Sequence, residues 1–289
     1  MAWTPFTRLD HDRSGLRYTS DMTDREFALI EPHMPAQPDR GRKRGTDLRA
    51  VVDGIFYLLQ NGCAWANLPK DFPPKSTVYW YFQRFREDGT WARIHDALYV
   101  DCRDLEGREA QPSVAIIDSQ SVKTGPHACD AVGYDAGKKI KGRKRHILTD
   151  TLGLLLKVAV HSAGIQDRDG AARLFEHLTA RFPFIEVIIG DGGYAGPKVR
   201  KAAPRPVEIV KRSDQASGFE VIPMRWIVER TLAWLTINRR LVLIERKLRD
   251  NQLSRIGVVN THCDSVTDSG NQSLVNSKWP NRCGHVAAT

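Results

Sequence analysis

The chain has 289 residues, 41% of them apolar and 27% charged, which is enough for two modest globular domains and too apolar for a disordered protein. Its 43 Lys and Arg against 34 Asp and Glu leave a formal charge of +9, a balance that favours a polyanionic partner because displaced counterions drive association. Five scattered cysteines with no C-x-x-C pair argue against a disulfide framework and a structural zinc site. No basic-then-apolar leader opens the chain, and its most apolar run, Leu152 to Val160, is too short to cross a bilayer, so the expected home is a reducing cytoplasm.

After a lead segment, 1–19, the chain reads as helical through residue 108. Thr23-Asp-Arg-Glu26 is a capping box ahead of Phe27, Leu29 and Ile30, and Pro32 to Pro38 ends that helix. A basic loop, Arg40 to Arg44, follows. Leu48, Val51, Val52, Ile55, Phe56 and Leu59 then recur at helical spacing, and Asn61-Gly62 supplies a stop. A third helix starts after Pro73-Pro74 with Ser76 as N-cap. Tyr79, Phe82 and Phe85 are expected on one face, with Lys75, Gln83, Arg84 and Arg86 on the other. A fourth, from Thr90 to Leu105, turns Trp91, Ile94, Ala97 and Leu98 inward. Short helices with a basic third one suggest a helix-turn-helix-like module that lays that helix, with Gln83, Arg84 and Arg86, in a DNA groove. A small bundle whose basic face is simply solvated is the plainer alternative.

The texture changes after Pro112. Val114 to Ile117 reads as a buried strand, and Arg145 to Thr149 with Leu154 to His161 as a hairpin. Ala171 to Phe182 reads as an amphipathic helix, and Glu186 to Ile189 and Val207 to Val210 as strands. Arg225 to Leu241 follows as a helix with Trp226, Ala233, Trp234, Ile237 and Leu241 on its apolar side. This is a mixed α/β order, occupying 109–249. From 250 to 289 polar residues dominate without a period, which reads as a poorly ordered tail.

Two acids stand where strands are expected to end, Asp118 after Val114–Ile117 and Asp191 after Glu186–Gly190, each followed by small residues. Carboxylates in such a crevice suit Mg²⁺, which takes oxygen ligands and shares them with substrate phosphates. Two such ions about 3.5–4 Å apart can drive phosphodiester chemistry. A turn-forming aspartate is the commoner reading of either residue alone. Glu229 is the third candidate. It lies one turn after Arg225, where a surface ion pair is the simplest account, but Trp226, Ala233 and Trp234 put it near the edge of a core, where a carboxylate wants a cation. Between these acids, Lys138, Lys139, Lys141, Arg143, Lys144 and Arg145 form an acid-free basic loop suited to phosphates. His146 and His161 read as structural, and Asp167 and Asp169 as helix caps, with Asp167 within possible reach of the acids.

Four blocks together resemble bacterial insertion-sequence transposases of the IS five family: Asp118-Ser-Gln-Ser-Val-Lys-Thr124, Gly133 to His146, Gly190-Asp-Gly-Gly-Tyr194 and Arg225-Trp-Ile-Val-Glu-Arg-Thr-Leu-Ala-Trp234. Residues Ala50 to Phe85 resemble the same family, and the likeness runs from Leu9 to Arg246. The resemblance implies an α/β, ribonuclease-H-like catalytic domain with a mixed sheet and flanking helices, using Mg²⁺ or Mn²⁺ on an Asp-Asp-Glu triad of Asp118, Asp191 and Glu229. It further implies a DNA transposase that binds terminal inverted repeats, cuts and joins strands, works at least as a homodimer on double-stranded DNA, and stays with the bacterial nucleoid. Arg225, Arg230 and the basic loop would hold phosphates. Where the broader superfamily has a tyrosine and a lysine, this chain has Ile222 and Thr236, and Arg239 and Arg240 are the nearby cations for phosphate. The alternative function is a DNA-binding protein, a repressor or decayed copy, that occupies the element ends without chemistry.

Overall fold

A computed structural model describes residues 12–124, 132–210 and 224–242. The start of the lead segment, Ile222 and the 250–289 tail lie outside the described residues. The first helix, α1 (Asp24–Ile30), begins on the expected capping box: Thr23 accepts from Glu26 N while Glu26 accepts from Thr23 N. A 3₁₀ turn, Glu31–His33, closes it at the proline. The next helix, α2 (Leu48–Asn61), is capped by Asp47 and buries Val51, Val52, Ile55, Phe56 and Leu59, the residues read from its periodicity. It stops at Gly62, whose φ of 68° is left-handed.

The sequence reading of the third helix needs correction. It runs as α3 (Lys75–Glu87) with Pro74, not Ser76, at its N-cap, and it buries Val78, Tyr81, Phe82 and Phe85. Tyr79 is 44% exposed, because its position is rotated off the stripe that faces α2. The fourth helix, α4 (Thr90–Leu105), has the expected bounds.

One sheet follows. Its strands are β1 (Val114–Lys123), β2 (Gly133–Asp135), β3 (Ile140–Thr149), β4 (Leu155–Ser162), β5 (Val187–Gly190) and β6 (Val207–Ile209). β1 pairs antiparallel with β3 and parallel with β5. β3 pairs antiparallel with β4 and β2 on its far side, and β6 continues parallel from β5. An antiparallel β1–β3–β4 meander extended by parallel strands on the other side of β1 is the ribonuclease-H-like arrangement that the resemblance implied.

After a short α5 (Asp167–Gly170), the region expected as one helix, Ala171 to Phe182, is broken into α6 (Ala172–Phe175) and α7 (Leu178–Arg181). Glu176 is extended (ψ 125°) and His177 left-handed (φ 56°), which interrupts the hydrogen-bond ladder. A short α8 (Pro197–Ala202) precedes β6. The last long helix is also shorter than expected. α9 (Arg225–Ile237) ends at Asn238, whose ψ of 105° separates it from α10 (Arg239–Val242). Its buried stripe is Ile227, Val228, Thr231, Leu232 and Leu235, whereas Trp226 and Ile237 are 42% and 63% exposed. The tryptophans drew the apolar side to the wrong face, since large rings dominate a count of apolar residues whichever way they point.

The sheet separates two apolar clusters. On one face Ile116, Ile147, Leu155 and Val158 meet Ile227, Val228 and Leu232 of α9 and, continuously, Val51, Ile55, Phe82 and Ile94 of the helical module. The other face packs Ala115, Ile117, Leu148 and Leu156 under Leu174, Phe175 and Leu178. The boundary expected at 108/109 is therefore crossed by a single core.

That core closes at Gly62. A β-carbon there would lie 3.0 Å from Cβ of Arg239, and its backbone is left-handed. Gly62→Ala is expected to lower stability by about 1–2 kcal/mol through backbone strain and this crowding. A urea titration showing an unchanged midpoint would contradict the docking of α10 on this helix end.

Candidate active site

The parallel pairing of β1 and β5 sets Ile117 opposite Gly190, so the next residue on each strand, Asp118 and Asp191, are neighbours. β1 does not end at Ile117 as expected: six more residues pair with β3, and Asp118 lies in mid-strand opposite Ile147. The polar Ser119 and Ser121 of this extension hid the strand from an apolar reading. β5, by contrast, does end at Gly190, and Asp191 caps the 3₁₀ turn Gly192–Tyr194 by accepting from Gly193 N at 2.9 Å. The glycine before it is required, since a β-carbon at Gly190 would lie 2.9 Å from Ile117 Cγ2.

Asp118 and Asp191 share a small cavity with Ile189, Val210, Arg225 and Val228. Burial raises the Asp118 pKa to about 6. The Ser119 N–H, donating to its carboxylate at 2.7 Å, pulls the other way, the neighbouring Asp191 adds to the rise, and Arg225 and Lys138 offset part of it. A half-buried carboxylate beside a second one is an oxygen-donor pair of the kind that hard divalent ions take. The two aspartates fit Mg²⁺ or Mn²⁺ on those grounds.

Glu229 stands differently from the expectation. Its side chain is 57% exposed rather than at the edge of a core, and Arg225 donates to its Oε1 at 3.0 Å. The same guanidinium lies 3.9 Å from Asp191 Oδ2. Arg225 thus bridges Asp191 and Glu229. Among the described residues no three carboxylate, imidazole or thiol groups stand close enough to enclose an ion. The structure brings two of the triad together and joins the third to them through an arginine.

The basic segment also divides. Lys138, Lys139 and Lys141 are exposed around the β2–β3 turn, with Lys138 Nζ donating to Ser119 O at 3.2 Å. Arg143, Lys144 and Arg145 belong to β3, not to a loop, and are 0%, 4% and 1% exposed. As direct phosphate ligands these three are corrected by their burial. Arg145 donates to Gln120 Oε1 at 2.9 Å and to Leu241 O at 3.2 Å, and burial pulls its pKa down to about 10. Arg230 is half-buried, donating to Leu152 O at 2.6 Å and lying against the rings of Trp226 and Trp234. Arg240 donates to Cys63 O at 2.6 Å, while Arg239 is exposed. On α3, Arg84 is exposed over the Trp80 ring, Gln83 donates to Tyr79 Oη at 2.6 Å, and Arg86 is half-buried.

Two arrangements went unread in the sequence. One is a buried polar network behind Asp118, formed by Ser119, Ser121, Asp135, Lys144 and Asp167. The alternation Ser119-Gln-Ser121 is a period-two signal for it once β1 is known to continue. The other is Asp150, 0% exposed in the β3–β4 turn, which receives Arg103, Tyr99 and two backbone N–H groups. The local turn bonds give no sign of its burial, because its side-chain partners Arg103 and Tyr99 are about fifty positions away.

Residues 22–95 match the family described as "Putative transposase of IS4/5 family", and residues 109–259 match "Transposase DDE domain". Two relatives come from Burkholderia cepacia. The insertion element IS402 uncharacterized 16.2 kDa protein is 30% identical over 123 residues, covering 40% of this chain and 76% of the relative. The putative transposase for insertion sequence element IS402 is 31% identical over 150 residues, covering 46% of this chain and 65% of the relative. Among solved structures, the piggyBac transposase synaptic complex with hairpin DNA, seen by cryo-EM, aligns at a TM-score of 0.39 and 10% identity, over 90% of this chain and 73% of that one. With the DDE domain matched over more than half its length and the IS4/5 family over its helical module, this chain belongs to the DDE-domain transposases of insertion sequences.

Proposed function

We propose that this chain binds the terminal inverted repeats of its own element through the helical module and cuts and joins DNA strands at Asp118, Asp191 and Glu229, with Mg²⁺ or Mn²⁺. The observation that carries the reading is the pairing of two aspartates at adjoining positions of parallel strands, one with its pKa raised to about 6 by burial and by its neighbour. Asp118 and Asp191 would hold the ion from the sheet, and Glu229 from α9 once Arg225 releases it. When bound, the ion would supply activation of the attacking oxygen and charge for the leaving one.

The remaining roles follow from where the side chains stand. Ser119 N–H fixes one carboxylate oxygen of Asp118 and Gly193 N–H one of Asp191, so each aspartate presents its other oxygen to the cavity. Lys138, Lys139 and Lys141 form an exposed cationic rim beside β1 that suits a phosphate backbone. Arg225 would turn from the acids to the scissile phosphate. Exposed Arg84, with Trp80, Tyr79 and Gln83, makes α3 the face that meets the groove. A division of roles at residue 108, between parts that share one core, and action as a homodimer on DNA belong to the same proposal.

A labelled duplex carrying the element's end, incubated with purified protein and Mg²⁺, tests it. Nicking at the element boundary is expected, with Asp191→Asn and Glu229→Gln binding the duplex and leaving it intact. Salt-sensitive binding without nicking by the wild type would instead favour a protein that only occupies the ends.

A further inference from the structure

The face of β1 opposite Asp118 carries Ser119 and Ser121, and both hydroxyls point into a buried cluster. Ser119 Oγ donates to Asp167 Oδ1 at 2.8 Å, and Ser121 Oγ to Asp135 Oδ2 at 2.5 Å. Lys144, paired with Ser121 across β3, reaches the same two carboxylates at 2.9 and 3.3 Å, and gives its third N–H to Ile165 O at 3.1 Å. Its side chain is 5% exposed. An ammonium has three donors, and here all are committed.

The cluster reaches Asp118 through Ser119 and borders the Asp191 turn, without belonging to the cavity that holds the two aspartates. Ser119, fixed through its hydroxyl, gives its own N–H to Asp118. On the other side, Asp167 Oδ2 and Asp191 Oδ1 both border the space beside Gly193, where a β-carbon would lie 3.2 and 3.0 Å from them. Asp167 is held ionised below the ordinary range. Burial opposes this, but hydrogen bonds from Lys144 and Ser119 outweigh it. A like charge is therefore fixed in place beside the Asp191 turn, and Lys144 fixes it.

Building on the reading above, we propose that Lys144 is a positioning residue. Its ammonium pins Asp167 and Asp135, and through Ser119 and the Gly193 turn sets the separation of the Asp118 and Asp191 carboxylates, and hence their affinity for a divalent ion. Groups behind metal ligands commonly change metal affinity by about 10–100-fold.

The test is Mn²⁺ titration of the full-length protein, followed by the electron paramagnetic resonance of the free ion, for wild type, Asp118→Asn, Lys144→Met and Lys144→Arg. Lys144→Arg keeps the buried charge, so it guards the fold should Lys144→Met fail to fold, but a planar guanidinium cannot meet three acceptors placed for an ammonium. The expected result is Mn²⁺ binding in the wild type that Asp118→Asn removes. Both Lys144 variants should weaken it at least about tenfold, with circular dichroism and end-duplex affinity unchanged in Lys144→Arg. Wild-type Mn²⁺ affinity in the folded Lys144 variants overturns the positioning role alone. Failure of both to fold overturns it too, in favour of a purely structural lysine. A wild type without Asp118-dependent binding overturns the metal-site reading itself.

Discussion

Asp118→Asn is expected to raise the melting temperature of the metal-free protein at pH 7 while abolishing strand cleavage. The two effects have one origin. Asp118 has its pKa lifted from 3.8 to about 6, by burial first and by Asp191. Below about pH 4 the carboxyl is protonated in both the folded and unfolded chain, and it makes no difference to stability. Between about 4 and 6 the unfolded chain ionises first, which favours unfolding, and above 6 the cost is complete. The interval corresponds to about 3 kcal/mol, an upper figure because structure relaxes around a new charge. An amide of the same shape removes the cost, so the stabilisation should grow as pH rises through 4 to 6 and hold at pH 7. Excess Mg²⁺ should reverse the order, raising the wild type by linkage and leaving the variant unmoved. Thermal melts across pH, with and without Mg²⁺, check this. If the variant melts below the wild type at pH 7 without metal, the Asp118 carboxylate carries no cost in the folded state.

The second large effect is expected far from the chemistry. Asp150 is buried in the β3–β4 turn and receives Arg103 at 2.5 Å, Tyr99 at 3.1 Å and the N–H groups of Leu152 and Leu154 at 2.9 Å each. Arg103 is itself 5% exposed and gives two further N–H groups to Glu109 O and Gln111 O. Asp150→Ala leaves a buried guanidinium without its carboxylate and two amides without an acceptor. Breaking one side of a buried pair costs about 3–5 kcal/mol, a large share of the total stability of a domain. The melting temperature should fall by roughly 10 °C. The same turn anchors α9, since Leu152 O accepts from Arg230 and Gly153 O from Thr231 Oγ1. Asp150→Ala should therefore also depress cleavage at temperatures where the protein is still folded. Pairing it with Arg103→Met should recover part of the loss, because no buried charge is then left alone. Calorimetry of the two variants decides it, and a double variant no better than the single one would show the ion pair to be incidental.

The parts of this fold that could be read from sequence are those set by local chemistry. The Thr23–Glu26 capping box, the apolar stripe of α2 and its Gly62 stop depend on residues within one or two turns of each other, and each was found where expected. The sequence shows β1 too short because its second half alternates Ser119, Gln120 and Ser121, and the two serines are buried with hydrogen bonds rather than by apolar character. The basic segment was read as a loop for a related reason. Arg143, Lys144 and Arg145 are among the most water-seeking residues, and for Lys144 and Arg145 the carboxylates, amide and carbonyls supplied by other segments make burial tolerable. Asp118, Asp191 and Glu229 were legible through the order and spacing of their motifs. The pairing of the first two by strand register could not be derived from spacing, which for Arg225 announced the ion pair with Glu229 one turn on but not the reach to Asp191. Both are properties of the sheet and of how α9 lies on it.

The continuity of the core from α2 and α4 into the sheet has a mechanical meaning. A recognition module joined by a linker can swing, and the point of attack on a bound polymer then varies with each encounter. Here Val51, Ile55 and Ile94 sit in the same packed cluster as Ile116 and Val228, and packed interiors do not flex as hinges do. On the proposed reading the body of the protein works as a ruler. The interval along the DNA between the bases held by α3 and the bond offered to Asp118 is fixed by side-chain packing, and an element whose ends drift from that interval loses its enzyme.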